Sequence, residues 1–146
     1  MVPHSRERLE QLELIPFQRL IAAGVASVMT AHLLVPSLDD QRPATLSKAV
    51  LTDLLRHDLG YQGLVVTDAL VMEAISRRVG AGEAAVQAFE AGSDLILMPV
   101  DAHAAIDALC AALESGRIPE SRLHESIQRR QQALQTYIGL DAASHT

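Results

Sequence analysis

The run Gly63-Leu64-Val65-Val66-Thr67 is apolar and rich in β-branched residues. It stops at Asp68 and gives way to Ala69-Leu70-Val71-Met72, whose pattern no longer reads as strand. Such a run fits a strand buried on both faces, as in parallel sheets covered by helices. This constrains the chain strongly, because parallel neighbours need crossover connections and folds built that way place their chemistry at the carboxyl ends of the strands. Asp68 occupies that place and is a candidate catalytic carboxylate. Position alone leaves open the plainer readings of an N-cap for the next turn or a loop acid.

Residues 25–30, 64–67 and 95–98 are the strand candidates, and helical segments alternate with them. A helical stretch from about Arg6 to Ala23 precedes the first strand. Ser5 is its N-cap, Gly24 its terminator, and Pro16 is expected to divide it, since proline suits a first turn and not an interior. A long polar loop with Pro36 and Pro43 leads to Ser47, which caps a helix over 48–59 closed by Gly60. The second strand is followed by a short helical turn over 71–78 and a hinge at Gly80-Ala81-Gly82. A small-residue helix over 83–91 then carries Ala84, Ala85, Ala88 and Ala91 for close packing. Helices over 102–114 and 120–138 complete the pattern. The tail, 141–146, is expected to fray. These alternations predict an α/β fold of parallel βα units. A closed βα barrel has eight strands in about 250 residues, so three strands mean a small open sandwich or a piece of a barrel.

Composition narrows the function classes. The chain has 146 residues, 49% hydrophobic and 21% charged, with a formal net charge of -6, which suits one globular domain and not a disordered tail. Scattered basic residues on an acidic chain argue against nucleic acid as a partner. No stretch approaches the roughly 18 apolar residues of a membrane span. Met1-Val2-Pro3-His4-Ser5 lacks the apolar core of a signal peptide. The single cysteine, Cys110, excludes an internal disulfide and is compatible with a reducing, cytoplasmic setting. Its helical apolar surroundings predict a buried packing role.

Other polar residues carry weaker signals. His32, at the mouth of the first strand, is a candidate for contact with a ligand, alongside a hydrogen-bonded structural role. Asp39-Asp40 reads as a solvated turn, not a metal site, and no histidine pair has zinc spacing. Gly80-Ala81-Gly82 lacks the further glycine and lysine of a phosphate loop. Arg77-Arg78 and Arg129-Arg130 read as exposed helix faces. No metal and no cofactor are implied.

The ordered set Val28-Met29-Thr30-Ala31-His32, Pro43-Ala44-Thr45-Leu46-Ser47, Leu59-Gly60-Tyr61-Gln62-Gly63 with the run through Met72, Gly82-Glu83-Ala84-Ala85, Ala91-Gly92-Ser93-Asp94 through Pro99, and Gly116-Arg117-Ile118 resembles glycoside hydrolase family three. Within that family it is most similar to the β-N-acetylhexosaminidases. The resemblance covers nearly the whole chain. It implies that Asp68 is the nucleophile of a retaining glycosidase, that Met72 lines a sugar subsite, and that the substrate is an N-acetylglucosamine-containing glycoside. It further implies that residues 1–140 resemble the last three strands and helices of a TIM-like (β/α)8 barrel, a partial barrel domain followed by the flexible tail 141–146.

The same resemblance marks a departure. The family's Lys-His-Phe-Pro-Gly-His-Gly and Asp-Ser-His segments, which supply the acid/base histidine and sugar-binding groups, do not occur in these residues, and His4 does not match the acid/base position. A retaining glycosidase needs both a nucleophile and a proton donor. Two expectations follow. One is a glycosidase component that is active only when the missing half is supplied. The other is a noncatalytic unit that self-associates, as a homo-oligomer or with a missing barrel half, and at most binds sugar weakly.

Overall fold

The computed structural model describes residues 1–72, 75 and 79–139. The first helical stretch is segmented: α1 (Arg6–Arg8) leads through a wider π-type turn, Leu9–Glu13, into α2 (Ile15–Ala22), with Pro16 in the first turn of α2. Ser5 caps its start, the Oγ accepting the Arg8 N–H at 3.3 Å. Gly24, at φ +78°, ends it. β1 (Ser27–Met29), α3 (Ala49–Asp58), β2 (Leu64–Val66), α4 (Ala81–Ala91), α5 (Ala102–Glu114) and α6 (Glu120–Ile138) follow. α3 is wound with i to i−5 bonds at its end, Leu59 N–H to Leu54 O at 2.9 Å.

β1 and β2 pair in parallel, Ser27 opposite Leu64, Val28 opposite Val65 and Met29 opposite Val66. The expected third strand is only partly realised. Leu95 forms a single parallel bridge to Val66, on the other side of β2 from β1. One ladder position further on, the Leu97 N–H donates to the Thr67 side chain at 2.8 Å, and Met98 turns away with φ +43°. A side-chain acceptor thus replaces the next backbone rung, and a left-handed residue ends the extension.

One side of the sheet is sealed by helices. Val65 packs with Leu51, Leu55, Tyr61 and Ala91, all buried, and the alanines of α4 meet α5 through Ala84, Ala85, Ala88 and Ala105. The strand-end residues Met29 (58% exposed) and Met98 (59%) are open, and Leu95 and Leu97 are half-open at 38% each.

Two local expectations are corrected. Gly82 is not a hinge: α4 starts at Ala81, and a Cβ on Gly82 would lie 2.8 Å from Ala108 Cβ and 2.9 Å from Ala104 O, so the missing side chain lets α4 and α5 approach. Cys110 is exposed. α5 buries Ala105 and Ala112 against α4 and its neighbours, and a residue two or five positions off that i, i+7 stripe faces elsewhere. The turn expected over 71–78 and the tail 141–146 lie wholly or largely outside the described residues, as do Arg77 and Arg78.

Candidate active site

Beyond β2, Thr67 is fully buried and held from the neighbouring segment. Its N–H donates to Leu95 O at 3.0 Å while its Oγ1 accepts from Leu97 N–H. The next residue, Asp68, therefore emerges half-buried at the strand's carboxyl end, and its Oδ1 accepts the Ala69 N–H at 2.8 Å. Leu70 is buried and its N–H reaches Leu97 O at 3.0 Å, which pins the chain after the turn.

The Ala69 peptide gathers the residues singled out in the sequence. Its N–H goes to Asp68, and its carbonyl accepts both His32 Nε2–H at 2.9 Å and the Met72 N–H at 3.1 Å. Met72 itself is 45% exposed. Asp68, Met72 and His32 are thus brought to one turn, although His32 lies on the loop after β1. A carbonyl can only accept, so His32 Nε2 carries the proton; in the neutral ring Nδ1 then accepts from Thr45 Oγ1 at 2.8 Å. Thr45, fully buried, in turn accepts from Thr30 Oγ1 at 2.9 Å. Thr30 and Thr45 are parts of this support that the sequence reading did not assign. Their only signal was their place in the motifs on either side of the loop.

Among the described residues no group of three potential metal ligands comes together, and no helix is long and apolar enough to cross a membrane. Asp39 organises the polar loop: Oδ1 accepts the N–H groups of Gln41 and Arg42, each at 2.9 Å, and Oδ2 accepts the Ser47 hydroxyl at 2.7 Å. Burial pushes this carboxyl up, but the three donors outweigh it and hold it below its ordinary value.

At the opposite end of β2 lies a second aspartate, not singled out as a site in the sequence. The Asp94 side chain is 0% exposed. Its Oδ2 accepts from Arg56 Nη2 at 2.6 Å and from the Val65 N–H at 3.0 Å; its Oδ1 accepts from Ser126 Oγ at 2.6 Å and faces Arg129 at 3.2 Å and Arg122 at 3.4 Å. Arg129 is therefore not on an exposed face: its side chain is 19% exposed, whereas Arg130 is exposed. Residues 122, 126 and 129 share one face of α6 by i, i+4, i+7 spacing, which is the signal that could have revealed them. Carboxylates so buried and bonded hold a fold together, and in barrel folds the amino ends of the strands serve stability.

A parallel βα sheet covered by helices defines an α/β domain, with Asp68 at the carboxyl end of one strand. The model of the glycosyl hydrolase family 3 N-terminal domain matches residues 1–133, and the chain belongs to that family. It is 37% identical to β-hexosaminidase A of Pseudoalteromonas piscicida, over 88% of this chain and 25% of the relative. It is 41% identical to a β-hexosaminidase of Chromobacterium violaceum, over 84% and 33%. Its fold matches a glycoside hydrolase family 3 β-N-acetylglucosaminidase from Paenibacillus sp. str. FPU-7 with a TM-score of 0.89 and 55% identity, covering 92% of this chain and 26% of that one. The family domain is a TIM-barrel-like α/β fold. The chain thus spans a quarter to a third of these relatives.

Proposed function

We propose that residues 1–140 form the last three βα units of a TIM-like barrel and contribute Asp68 as the nucleophile of a retaining β-N-acetylhexosaminidase site, with Met72 against the sugar. The observation that carries this reading is the Ala69 turn, where one residue's backbone bonds Asp68 through its N–H and ties His32 and Met72 through its carbonyl. The relatives named for hexosaminidase or β-N-acetylglucosaminidase activity support the substrate class. His32 has both ring nitrogens engaged by the protein, so we assign it a positioning role beside whatever contact it makes with the sugar.

Asp68 attacks the anomeric carbon and forms a glycosyl-enzyme bond as the leaving oxygen takes a proton; water then cleaves that bond with retention. The proton donor is not Asp68, and these 146 residues contain no Lys-His or Asp-Ser-His segment. That group comes from a longer chain or another polypeptide. A general acid/base contributes on the order of a hundred- to ten-thousand-fold, so a polypeptide of these residues alone turns over poorly.

The test is an assay of that polypeptide with a chromogenic N-acetylglucosaminide and with an activated-leaving-group analogue that needs little acid assistance. The expected result is no appreciable turnover on the first and a slow burst on the second that Asp68→Asn abolishes. Turnover in the range of about 1 to 1,000 per second, or a burst that survives Asp68→Asn, overturns the reading.

A second reading, self-association without catalysis, is favoured by the exposed apolar strand ends Met29, Leu95, Leu97 and Met98. Unpaired strands and open apolar surface invite a partner. Light scattering over a concentration series decides it: a mass that stays near 15.7 kDa with cooperative unfolding rules out self-association.

A further inference from the structure

A groove lies away from Asp68. It has a volume of about 760 Å³ and is walled by Arg42 and Leu46 of the loop after β1, by α3, α4, the connection at 117–119 and α6; none of residues 67–72 lines it. Its charge opposes that of the chain, whose formal net charge is -6.

Of its cations, Arg117 is satisfied by two carboxylates, Glu83 and Glu90, in a double fork at 2.7–2.9 Å. Arg56 and Arg122 donate to neutral groups, Arg56 to Tyr61 O and Gly63 O and Arg122 to Ser93 O and Ser126 Oγ, which satisfy hydrogen bonds without balancing charge. Arg56, Arg122 and Arg129 converge on the single buried carboxylate of Asp94, with side chains 7%, 14% and 19% exposed. Among the described residues, only Arg129 of the three pairs with a second acid, Glu125 at 3.3 Å, itself 52% exposed. Arg56 Nε is buried without a hydrogen-bond partner. Lys48 and Arg42 line the same groove and make no ion pair among the described residues. Burial, joined by repulsion from Arg129 against the pull of Asp94, holds the Arg56 and Arg122 guanidiniums below their ordinary pKa. The wall of the groove is thus short of negative charge.

We propose that this groove is a binding site for a phosphate-class oxyanion, held by the surplus guanidinium charge around Asp94 and by Lys48 and Arg42. Guanidinium groups match the oxygens of such anions and form strong hydrogen bonds with them, and a dianion supplies part of the negative charge lacking where Arg56, Arg122, Arg129, Lys48 and Arg42 face only Asp94 and Glu125. The site is independent of the glycosidase reading, because none of its residues belongs to the Asp68 turn.

The test uses the full chain and inorganic phosphate, titrated by calorimetry and by thermal unfolding, with sodium chloride at matched ionic strength as the control. A ligand that binds only the folded state raises Tm in a saturable way. The expected result is a saturable rise with phosphate that chloride does not reproduce. The double variant R42Q/K48Q, which leaves the arginines on Asp94 in place, should keep its Tm without phosphate and bind about tenfold more weakly, as expected when about 1.4 kcal/mol of binding energy is lost. Equal shifts from chloride and phosphate, or unchanged affinity in the double variant, overturn the proposal. A second arm uses a hexose 6-phosphate: tighter binding than inorganic phosphate assigns the site to a sugar ester, and equal or weaker binding assigns it to free phosphate.

Discussion

Two aspartates serve the two ends of the same strand, and their surroundings differ in nearly every respect. Asp68 leaves the carboxyl end of β2 half-buried, bonded to the N–H of the following residue. Asp94 sits at the amino end without exposure, bonded to Val65 N–H and Ser126 and facing three arginines. The nucleophile role proposed for Asp68 requires a reachable carboxylate, whereas a carboxylate that joins α3, β2 and α6 has to be saturated. Burial of a charge is tolerated only where partners replace water. A carboxylate's role follows from what surrounds it, not from its presence beside a strand.

The largest effect should come from removing the saturated acid. Asp94→Ala leaves three guanidiniums facing one another and should cost about 3–5 kcal/mol, the range for breaking a buried ion pair, as read from urea unfolding. Asp68→Asn should stay within about 0.5 kcal/mol, as at sites without such a network. Similar costs for the two variants would break the comparison.

A smaller loss is expected at the hydrogen-bonded support of the Asp68 end. Thr45→Val removes the hydroxyl between Thr30 and His32 and leaves a half-buried ring nitrogen without its partner, a cost of about 1 kcal/mol. Nitrogen NMR of His32 should report the Nε2–H form in the parent chain and a changed exchange in the variant; an Nδ1–H form in the parent would refute the bonding scheme.

Tyr61 sharpens the comparison at high pH. Burial, only partly offset by Arg56, pushes its phenol up to about 12, and its hydroxyl donates to Leu64 O at 3.0 Å. The unfolded phenol releases its proton near pH 10 while the folded one retains it, so this contribution is whole below pH 10 and is lost as pH rises toward 12. Thermal unfolding of the parent should therefore fall relative to Tyr61→Phe across that window; parallel curves would contradict the shift.

The smallest effect belongs to the solvated fork. Arg117 and its two glutamates are each about a third or more exposed, and Arg117→Ala should cost no more than about 1 kcal/mol and less at high salt. A larger, salt-insensitive loss would place the fork with the buried network.

Much of the local structure was legible in the residues. Ser5 and Gly24 mark a helical stretch through side-chain capping and positive φ, and the alanines of α4 do pack closely, because both signals act within a few residues. The third strand was over-read, since an apolar run at 95–98 shows β preference but not that Thr67 Oγ1 takes one of its backbone bonds. Cys110 was misplaced because the apolar pattern of α5 leaves open which of its faces meets α4. Gly82 resembled a hinge until the backbone of α5 came within contact distance.

By itself the sequence determined the alternation of strands and helices, the family, and Asp68 at a strand end as a candidate. Periodicity and motif order are properties of neighbours along the chain. Only the tertiary structure decided which polar groups share a site. His32 and Ala69 are 37 positions apart, and Asp94 is 38, 32 and 35 positions from Arg56, Ser126 and Arg129. Spacing rules reach only a few helical turns, so the partners that expose Asp68 and saturate Asp94 were set by packing of the helices across the sheet.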